Sequence, residues 1–141
     1  MNIVVFDAQG GGIGRLLVEQ LRRSAPDQIV TAVGTNSAAT SAMLKGGATQ
    51  AATGENAIRV NAARADVILA PIGMILCDGM LGEVTAAMAC AISSSPAPKV
   101  LIPSSRCDVR VAGCPDRPLS QLVTDAVQQA LSLCREHMQS G

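Results

Sequence analysis

The sequence alternates between short apolar runs and segments with the periodicity of an amphipathic helix. Residues 3–6 are apolar throughout, further runs cover 29–33, 66–71 and 99–103, and a weaker run covers 48–52. A continuous apolar run is typical of a strand that is buried on both faces, as in a parallel sheet. Because parallel strands need crossover connections, the helical segments between the runs have to cover the sheet. The pattern therefore predicts a three-layer α/β chain with a doubly wound, mostly parallel sheet.

The helical segments add detail to this prediction. Ile13, Leu17 and Leu21 recur at four-residue spacing after the first run, and residues 84–92 show a second apolar face. The last helix follows Pro118 and carries one long apolar stripe: Leu119, Leu122, Val123, Ala126, Val127, Ala130 and Leu131. We expect a further edge strand at residues 108–112. Right-handed crossovers favour a Rossmann-like strand order, with a flavodoxin-like order as the second choice.

Length and composition limit the partners that the chain can have. The 141 residues suffice for one domain, and we expect a single Rossmann-like domain over residues 1–141. With 11 basic and 11 acidic residues, the chain lacks the positive charge that nucleic acids and anionic membranes attract. Phe6 is the only aromatic residue, so stacking on bases or on a flavin ring is nearly excluded.

The cysteines and the single histidine bear on location and chemistry. The chain opens without a basic segment or a signal-length apolar run, and no stretch reaches the roughly 20 residues that span a bilayer. We therefore expect a cytoplasmic protein in which the 5 cysteines, none in a C-x-x-C pair, are reduced thiols. His137 alone cannot form a three-histidine metal site, and we expect no metal centre built on histidine.

A glycine-rich turn follows the first run and opens the first helix. It has the sequence Asp-Ala-Gln-Gly-Gly-Gly-Ile-Gly over residues 7–14. It is close to the G-x-x-x-G-x-G pattern of short-chain dehydrogenases, counted from Ala8 through Gly12 to Gly14, with alanine in place of the first glycine. Unpaired N–H groups at such a turn attract phosphate. The alternative is that the glycines only turn the chain tightly.

Small and polar residues also follow the other predicted strands. Ligands bind at the carboxyl ends of strands in open parallel sheets, so these residues complete the predicted site. Its members are Asp7, Gln9, Gly10, Gly11, Gly12, Ile13, Gly14, Gly34, Thr35, Asn36, Ser37, Thr53, Gly54, Glu55, Asn56 and Gly73. For 35–37 and 53–56 the alternative is simple helix capping. Glu55 and Glu83 are candidate acid–base groups only if they are buried beside a ligand. Arg106 is a weaker candidate for anion binding, and Cys77 and Cys107, which lack a base, are weaker candidates for nucleophilic chemistry.

Two features argue against ordinary NAD binding. Asp7 stands where the turn meets a pyrophosphate, and an unneutralised carboxylate repels it. The end of the second predicted strand, Gly34-Thr35-Asn36, offers no acid for a ribose 2′-hydroxyl. Asp7 has three possible roles, which are to hold a cation that bridges to phosphate, to bond a ligand hydroxyl, or to accept backbone N–H groups.

Several segments together resemble an uncharacterised family of short bacterial proteins, domain of unknown function thirty-eight forty-two. The resemblance lies in the 7–14 turn, in Gly34-Thr35-Asn36 with Ala39-Thr40 and Met43-Leu44-Lys45, in Thr53-Gly54-Glu55-Asn56-Ala57-Ile58 with Val60-Asn61, in Pro71-Ile72-Gly73, and in Met80-Leu81-Gly82-Glu83. It spans nearly the whole chain. The resemblance implies a Rossmann-like fold and brings no established activity.

Three functions are compatible with these patterns. The first is a module that binds a nucleotide or another phosphate-bearing small molecule, with NAD(P) or a nucleotide, with or without Mg²⁺, as the candidate cofactors. The second is an NAD(P)-dependent oxidoreductase completed by oligomerisation, although the chain has no tyrosine for the usual Tyr/Lys pair. The third is a structural or partner-binding subunit. The Met-, Leu- and Ala-rich segment 72–92 leads us to expect a homo-oligomer, most simply a dimer.

One geometric expectation supports the first of these functions. The N–H groups of the 7–14 turn should face an anion, and the turns after the neighbouring strands should close the site around it. Side chains of the protein itself in that position would contradict the expectation.

Overall fold

Five parallel strands form one sheet in the order β3-β2-β1-β4-β5. The computed structural model describes residues 1–104 and 108–140. The strands are β1 (Asn2–Asp7), β2 (Ile29–Gly34), β3 (Gln50–Thr53), β4 (Val67–Pro71) and β5 (Lys99–Ile102). The helices are α1 (Gly12–Ser24), α2 (Ser37–Lys45), α3 (Glu55–Arg64), α4 (Ala86–Ser93) and α5 (Leu119–Ser140), with a short 3₁₀ helix at Ile72–Ile75.

The strand order is the Rossmann-like one. The chain moves outward from β1 to β3 and then crosses back to place β4 on the other side of β1. This order confirms the first choice made from the sequence and differs from the flavodoxin-like 2-1-3-4-5 order. The reversal of direction beside β1 is the point at which open sheets of this kind bind ligands.

Helices cover both faces of the sheet, so the fold has three layers. Ile3 and Val5 point to one face, where α1, α2 and α5 pack on them. Val4 and Phe6 point to the other face and contact α3, α4 and the 3₁₀ helix. All 4 of these side chains are fully buried. This two-sided burial is the physical reason for the continuous apolar run in β1.

Three local predictions were wrong. Residues 108–112 form no strand and pair with no strand among the described residues, because this segment is mostly exposed and its two valines, Val109 and Val111, are not packed in the core of the sheet. β3 begins at Gln50 rather than at 48, since the chain is still leaving α2 through Gly47, whose φ is +107°. Val84 is buried but precedes α4, which begins at Ala86 after the Thr85 cap.

The segment 72–92 does not form the exposed apolar surface on which the expectation of a dimer was based. Met74, Val84, Met88, Ala89 and Ile92 are all buried in the core beneath α3 and α4. Within 72–92, Leu81 is the only large hydrophobic side chain that counts as exposed. Within the described residues, no helix combines the length and the apolar character that crossing a membrane requires.

Candidate functional site

The register of the sheet brings the ends of three strands together. Asp7 lies opposite Gly34 in the β1–β2 pair, and Gly34 lies opposite Thr53 in the β2–β3 pair. The pairing continues into the turns, because the Thr35 N–H donates to the Asp7 carbonyl at 3.1 Å and the Gly54 N–H donates to the Gly34 carbonyl at 2.9 Å. The predicted site residues after β1, β2 and β3 therefore share one edge of the sheet.

Asp7 uses both carboxylate oxygens to shape the turn between β1 and α1. Oδ1 accepts the Ala8 N–H at 2.8 Å and Oδ2 accepts the Gly14 N–H at 2.7 Å. Only 4% of the residue is exposed. Burial raises the pKa of Asp7, the two N–H bonds lower it in part, and the nearby charge of Glu83 raises it further. Of its three possible roles, the structure shows the acceptance of backbone N–H groups.

Three glycines at this edge are required by close packing. Gly11 has φ +72°, and an added Cβ would lie 2.7 Å from the Ala39 carbonyl oxygen. A Cβ on Gly14 would lie 2.6 Å from Met43 Sδ and 2.9 Å from the Asp7 Cβ. A Cβ on Gly34 would meet Thr40 Oγ1 at 2.5 Å. At these positions a Cβ would force the neighbouring atoms to shift.

Gly10 and Gly12 differ from the other glycines of the turn. A Cβ on either would meet nothing within 4 Å. Within residues 1–104 and 108–140, the N–H groups of Gly10, Gly12 and Ile13 donate no hydrogen bond. Gly12 and Ile13 are the first residues of α1, where N–H groups lack partners inside the helix and carry the positive end of its dipole. The start of α1 thus offers open, unpaired donors.

Glu83 occupies part of the predicted site. Its Oε1 accepts the Gln9 N–H at 2.8 Å, the Thr35 hydroxyl at 2.9 Å and the Asn36 amide Nδ2 at 2.9 Å. Burial raises the pKa of Glu83, but these three bonds outweigh it and hold the pKa below its usual value. A side chain of the protein therefore accepts donors of Gln9, Thr35 and Asn36, which opposes the expectation that this part of the site faces an anion. Ligand binding by these three residues stays a prediction.

The remaining predicted residues lie apart from the turn or have structural roles. Asn36 caps α2 through its Oδ1, which accepts the Ala39 N–H at 2.9 Å, and Ser37 is exposed in the first turn of α2. The Thr53 hydroxyl bonds Thr40, and the Glu55 carboxylate accepts the Thr85 hydroxyl at 2.6 Å.

Gly54, Asn56 and Gly73 complete the predicted set. Gly54 precedes α3 with φ +105°, Asn56 faces a groove between α3 and α4, and Gly73 is buried in the 3₁₀ helix. Arg106 and Cys107 lie outside the described residues.

A cavity of about 1040 Å³ adjoins the unpaired N–H groups of α1. Gly12, Ile13 and Leu16 form one wall, and the start of α5 forms another. Arg110 and Arg117 line it together with Asp116. The sequence analysis missed these two arginines because they belong to the segment 108–118, which has no regular structure and no pattern that fixes its position.

The chain belongs to the family described as Domain of unknown function (DUF3842), whose sequence profile matches residues 2–135. Among solved structures, the chain is similar to a dodecameric FMN-dependent UbiX-like decarboxylase from Escherichia coli O157:H7. The two share 16% identity at a TM-score of 0.49, over 94% of this chain and 93% of the other. The search of curated proteins found no match.

Proposed function

We propose that this chain binds a small molecule bearing a phosphate group, such as a nucleotide, at the carboxyl edge of its sheet. The observation that carries the proposal is the pair of open, unpaired N–H groups of Gly12 and Ile13 at the start of α1. Such groups bind phosphate because the donors and the helix dipole act together. The N–H groups of Gly12 and Ile13 thus replace the larger predicted set of phosphate-binding residues, which also included Gln9, Thr35 and Asn36.

The adjoining cavity supports the same proposal. Its volume of about 1040 Å³ is at the upper end of the range for small-molecule sites. In the part of the chain that the structure describes, the one ion pair is Arg15–Glu19, so no carboxylate there pairs with the guanidinium groups of Arg110 and Arg117. Leu16, Val111 and Leu119 line the cavity and are 39–45% exposed, which gives the body of a ligand an apolar wall.

We also propose that the chain forms a homodimer. The surface that supports this dimer is not the one expected from the sequence, because the segment 72–92 is largely buried in the core. The exposed Leu16, Val111 and Leu119 lie around the opening of the same cavity, where a second copy would bury the apolar surface that a bound ligand leaves uncovered. Burial of such apolar surface drives most protein association.

A thermal-shift panel tests the binding proposal. The probes are inorganic pyrophosphate, AMP and NAD, each with and without Mg²⁺, and sodium sulfate serves as the control for unspecific anion effects. A ligand at 100 times its Kd stabilises the folded state by about 2.7 kcal/mol, which is several degrees for a domain of this size. Absence of any shift beyond that of sulfate would contradict the proposal.

Variants that lack selected arginine side chains test whether the ligand that causes the thermal shift binds in the cavity. Replacing Arg110 and Arg117 together by alanine should reduce the shift, because a cation near a bound phosphate adds charge-assisted bonds. Arg64→Ala is the matched control, since it removes an exposed positive charge from the end of α3, away from the cavity. Equal losses in the two proteins would exclude the cavity as the binding place.

A further inference from the structure

Glu83 is fixed through one carboxylate oxygen and leaves the other available. All three of its hydrogen bonds go to Oε1. Oε2 has no hydrogen-bond partner among the described residues, and it is not one of the buried unpartnered atoms, so it reaches solvent. Because the bonds to Oε1 favour the ionised form, Oε2 is a charged acceptor held in a defined position.

Glu83 places an acidic side chain near the end of β2, where the residues that directly follow the strand include none. Thr35 and Asn36 directly follow β2, and Gln9 belongs to the turn between β1 and α1. In sheets that bind dinucleotides, an acidic residue about 20 positions beyond the glycine turn accepts the ribose hydroxyls. No acid follows β2 in this sequence. Glu83 arrives at the same place from the loop between the 3₁₀ helix and α4, and the residues after β2 hold it there.

We propose that Glu83 accepts the hydroxyl pair of a ligand whose phosphate lies on the N–H groups of Gly12 and Ile13. This inference rests on the proposed function and narrows it to phosphorylated ligands that carry a vicinal diol, as a ribonucleotide does. Glu83 and these N–H groups adjoin the same turn, since Gln9, which donates to Glu83, is three residues before Gly12. The N–H groups of Gly12 and Ile13, which also line the cavity, then meet the phosphate, and Glu83, which does not line the cavity, meets the hydroxyl groups on the Gln9 side of the turn.

The loop that carries Glu83 has an unusual backbone. Asp78, Met80 and Leu81 all have left-handed φ angles, between +57° and +62°. Its base is fixed by the Asp78 N–H, which donates to the Val84 carbonyl at 2.8 Å. These contacts keep Glu83 in place without any ligand, so the acceptor is organised in advance of binding.

The substitution Glu83→Gln tests the role of Oε2 and leaves the three hydrogen bonds to Oε1 in place. The glutamine carbonyl oxygen can still accept all three donors, and the amide NH₂ group then replaces the Oε2 acceptor by a donor. Affinities of both proteins would be measured by calorimetry for AMP, for 2′,3′-dideoxy-AMP and for inorganic pyrophosphate. Glu19→Gln is the matched control, because Glu19 is a surface carboxylate on α1 that pairs with Arg15.

The expected result is a preference that depends on Glu83. The wild type and Glu19→Gln should bind AMP at least about tenfold more tightly than its dideoxy analogue, since a bond to a charged acceptor is lost with the hydroxyls. Glu83→Gln should lose most of this preference, because the hydroxyls can then make only a weaker bond to a neutral amide. Its affinity for pyrophosphate should stay the same or rise, because a negative charge near the anion is removed.

The other outcomes separate the two proposals. If the wild type binds both nucleotides equally, or if Glu83→Gln keeps the preference for AMP, the role of Glu83 is wrong and phosphate binding stands. If only Glu83→Gln binds any of the probes, Glu83 blocks the site instead of recognising a ligand, and the inference is overturned. If none of the proteins binds any probe, both proposals fail.

Discussion

The glycines of the turn between β1 and α1 have two different physical roles. Gly11 and Gly14 are needed because α2 and Asp7 lie against them, whereas Gly10 and Gly12 face open space. The sequence predicted the turn but not this division, because the difference depends on where Ala39 and Met43 of α2 pack. The open positions are the ones that leave the backbone accessible to a ligand.

Two alanine substitutions should separate these roles. Gly12→Ala should keep or slightly raise the free energy of unfolding, by up to about 1 kcal/mol, because alanine favours a helix more than glycine does. It should weaken pyrophosphate binding at least about tenfold, since the new methyl group enters the open space over the N–H groups. Gly14→Ala should lower the free energy of unfolding by about 1–3 kcal/mol, because Met43 and Asp7 must move.

Urea unfolding measures the stability of both variants, and calorimetry with pyrophosphate measures binding by Gly12→Ala. A Gly12→Ala protein that binds pyrophosphate as well as the wild type does would contradict the placement of the phosphate.

The two carboxylates of the site make opposite contributions to the pH dependence of stability. The pKa of Glu83 is lowered in the folded state, so its stabilisation is complete above its unfolded pKa of about 4.3 and is lost as the pH falls through the folded value. The pKa of Asp7 is raised, so its contribution is present below its unfolded pKa and is lost as the pH rises through the folded value. The two effects partly cancel in the wild type.

The difference in stability between the wild type and Glu83→Gln isolates the first effect. We expect the variant to be less stable by about 1 kcal/mol at pH 7, because bonds to a charged acceptor exceed those to a neutral one. This gap should close as the pH falls below the unfolded pKa of Glu83 and through its lower folded value. Urea unfolding of both proteins between pH 3 and pH 7 measures this difference in stability. A difference that is independent of pH would show that the three donors do not favour the ionised form of Glu83.

At the scale of elements, the loop between the 3₁₀ helix and α4 decides how much of the site the sequence could predict. Glu83 lies 74 positions from Gln9 and 48 from Thr35, and no local pattern connects residues so far apart. The sequence placed Glu83 among conditional acid–base candidates and left it out of the site. By contrast, the turn after β1 and the Asn36 cap depend on neighbouring residues, so the sequence predicted the turn and offered capping as the alternative role of residues 35–37.

The tip of this loop offers a direct test of its conformation. Leu81 is 98% exposed and has φ +58°, a conformation that costs a residue with a Cβ about 1–2 kcal/mol. Leu81→Gly should therefore leave the free energy of unfolding unchanged or raise it by up to about 1 kcal/mol, since the gain exceeds the extra entropy of glycine in the unfolded chain. Urea unfolding at low protein concentration provides the measurement. A decrease of more than 1 kcal/mol in the free energy of unfolding would mean that Leu81 packs against apolar surface, such as that of a second copy of the chain.

At the scale of the whole molecule, the fold was predictable because few arrangements satisfy its constraints. Continuous apolar runs require two covered faces, crossovers are right-handed, and the order of elements leaves the Rossmann-like sheet as the first choice. The prediction failed where apolar residues were assigned by composition alone. Residues 108–112 stay outside the sheet, and the segment 72–92 packs into the core instead of facing a partner.

The proposed dimer is testable at the same scale. Sedimentation velocity at micromolar concentration should show a two-chain species, and Leu119→Glu should shift it toward the single chain. An acidic residue suits the first turn of a helix, so this change should leave α5 intact. A wild-type protein that sediments as a single chain under these conditions would refute the dimer.

The central claim is that the backbone at the start of α1 binds a phosphate, and amide-resolved NMR tests it most directly. During a titration with AMP, the account predicts that the amide signals of Gly10, Gly12 and Ile13 shift more than any others in the chain, and that Gly12→Ala suppresses these shifts. Saturable shifts confined to another surface, such as the groove beside Asn56 between α3 and α4, would contradict it.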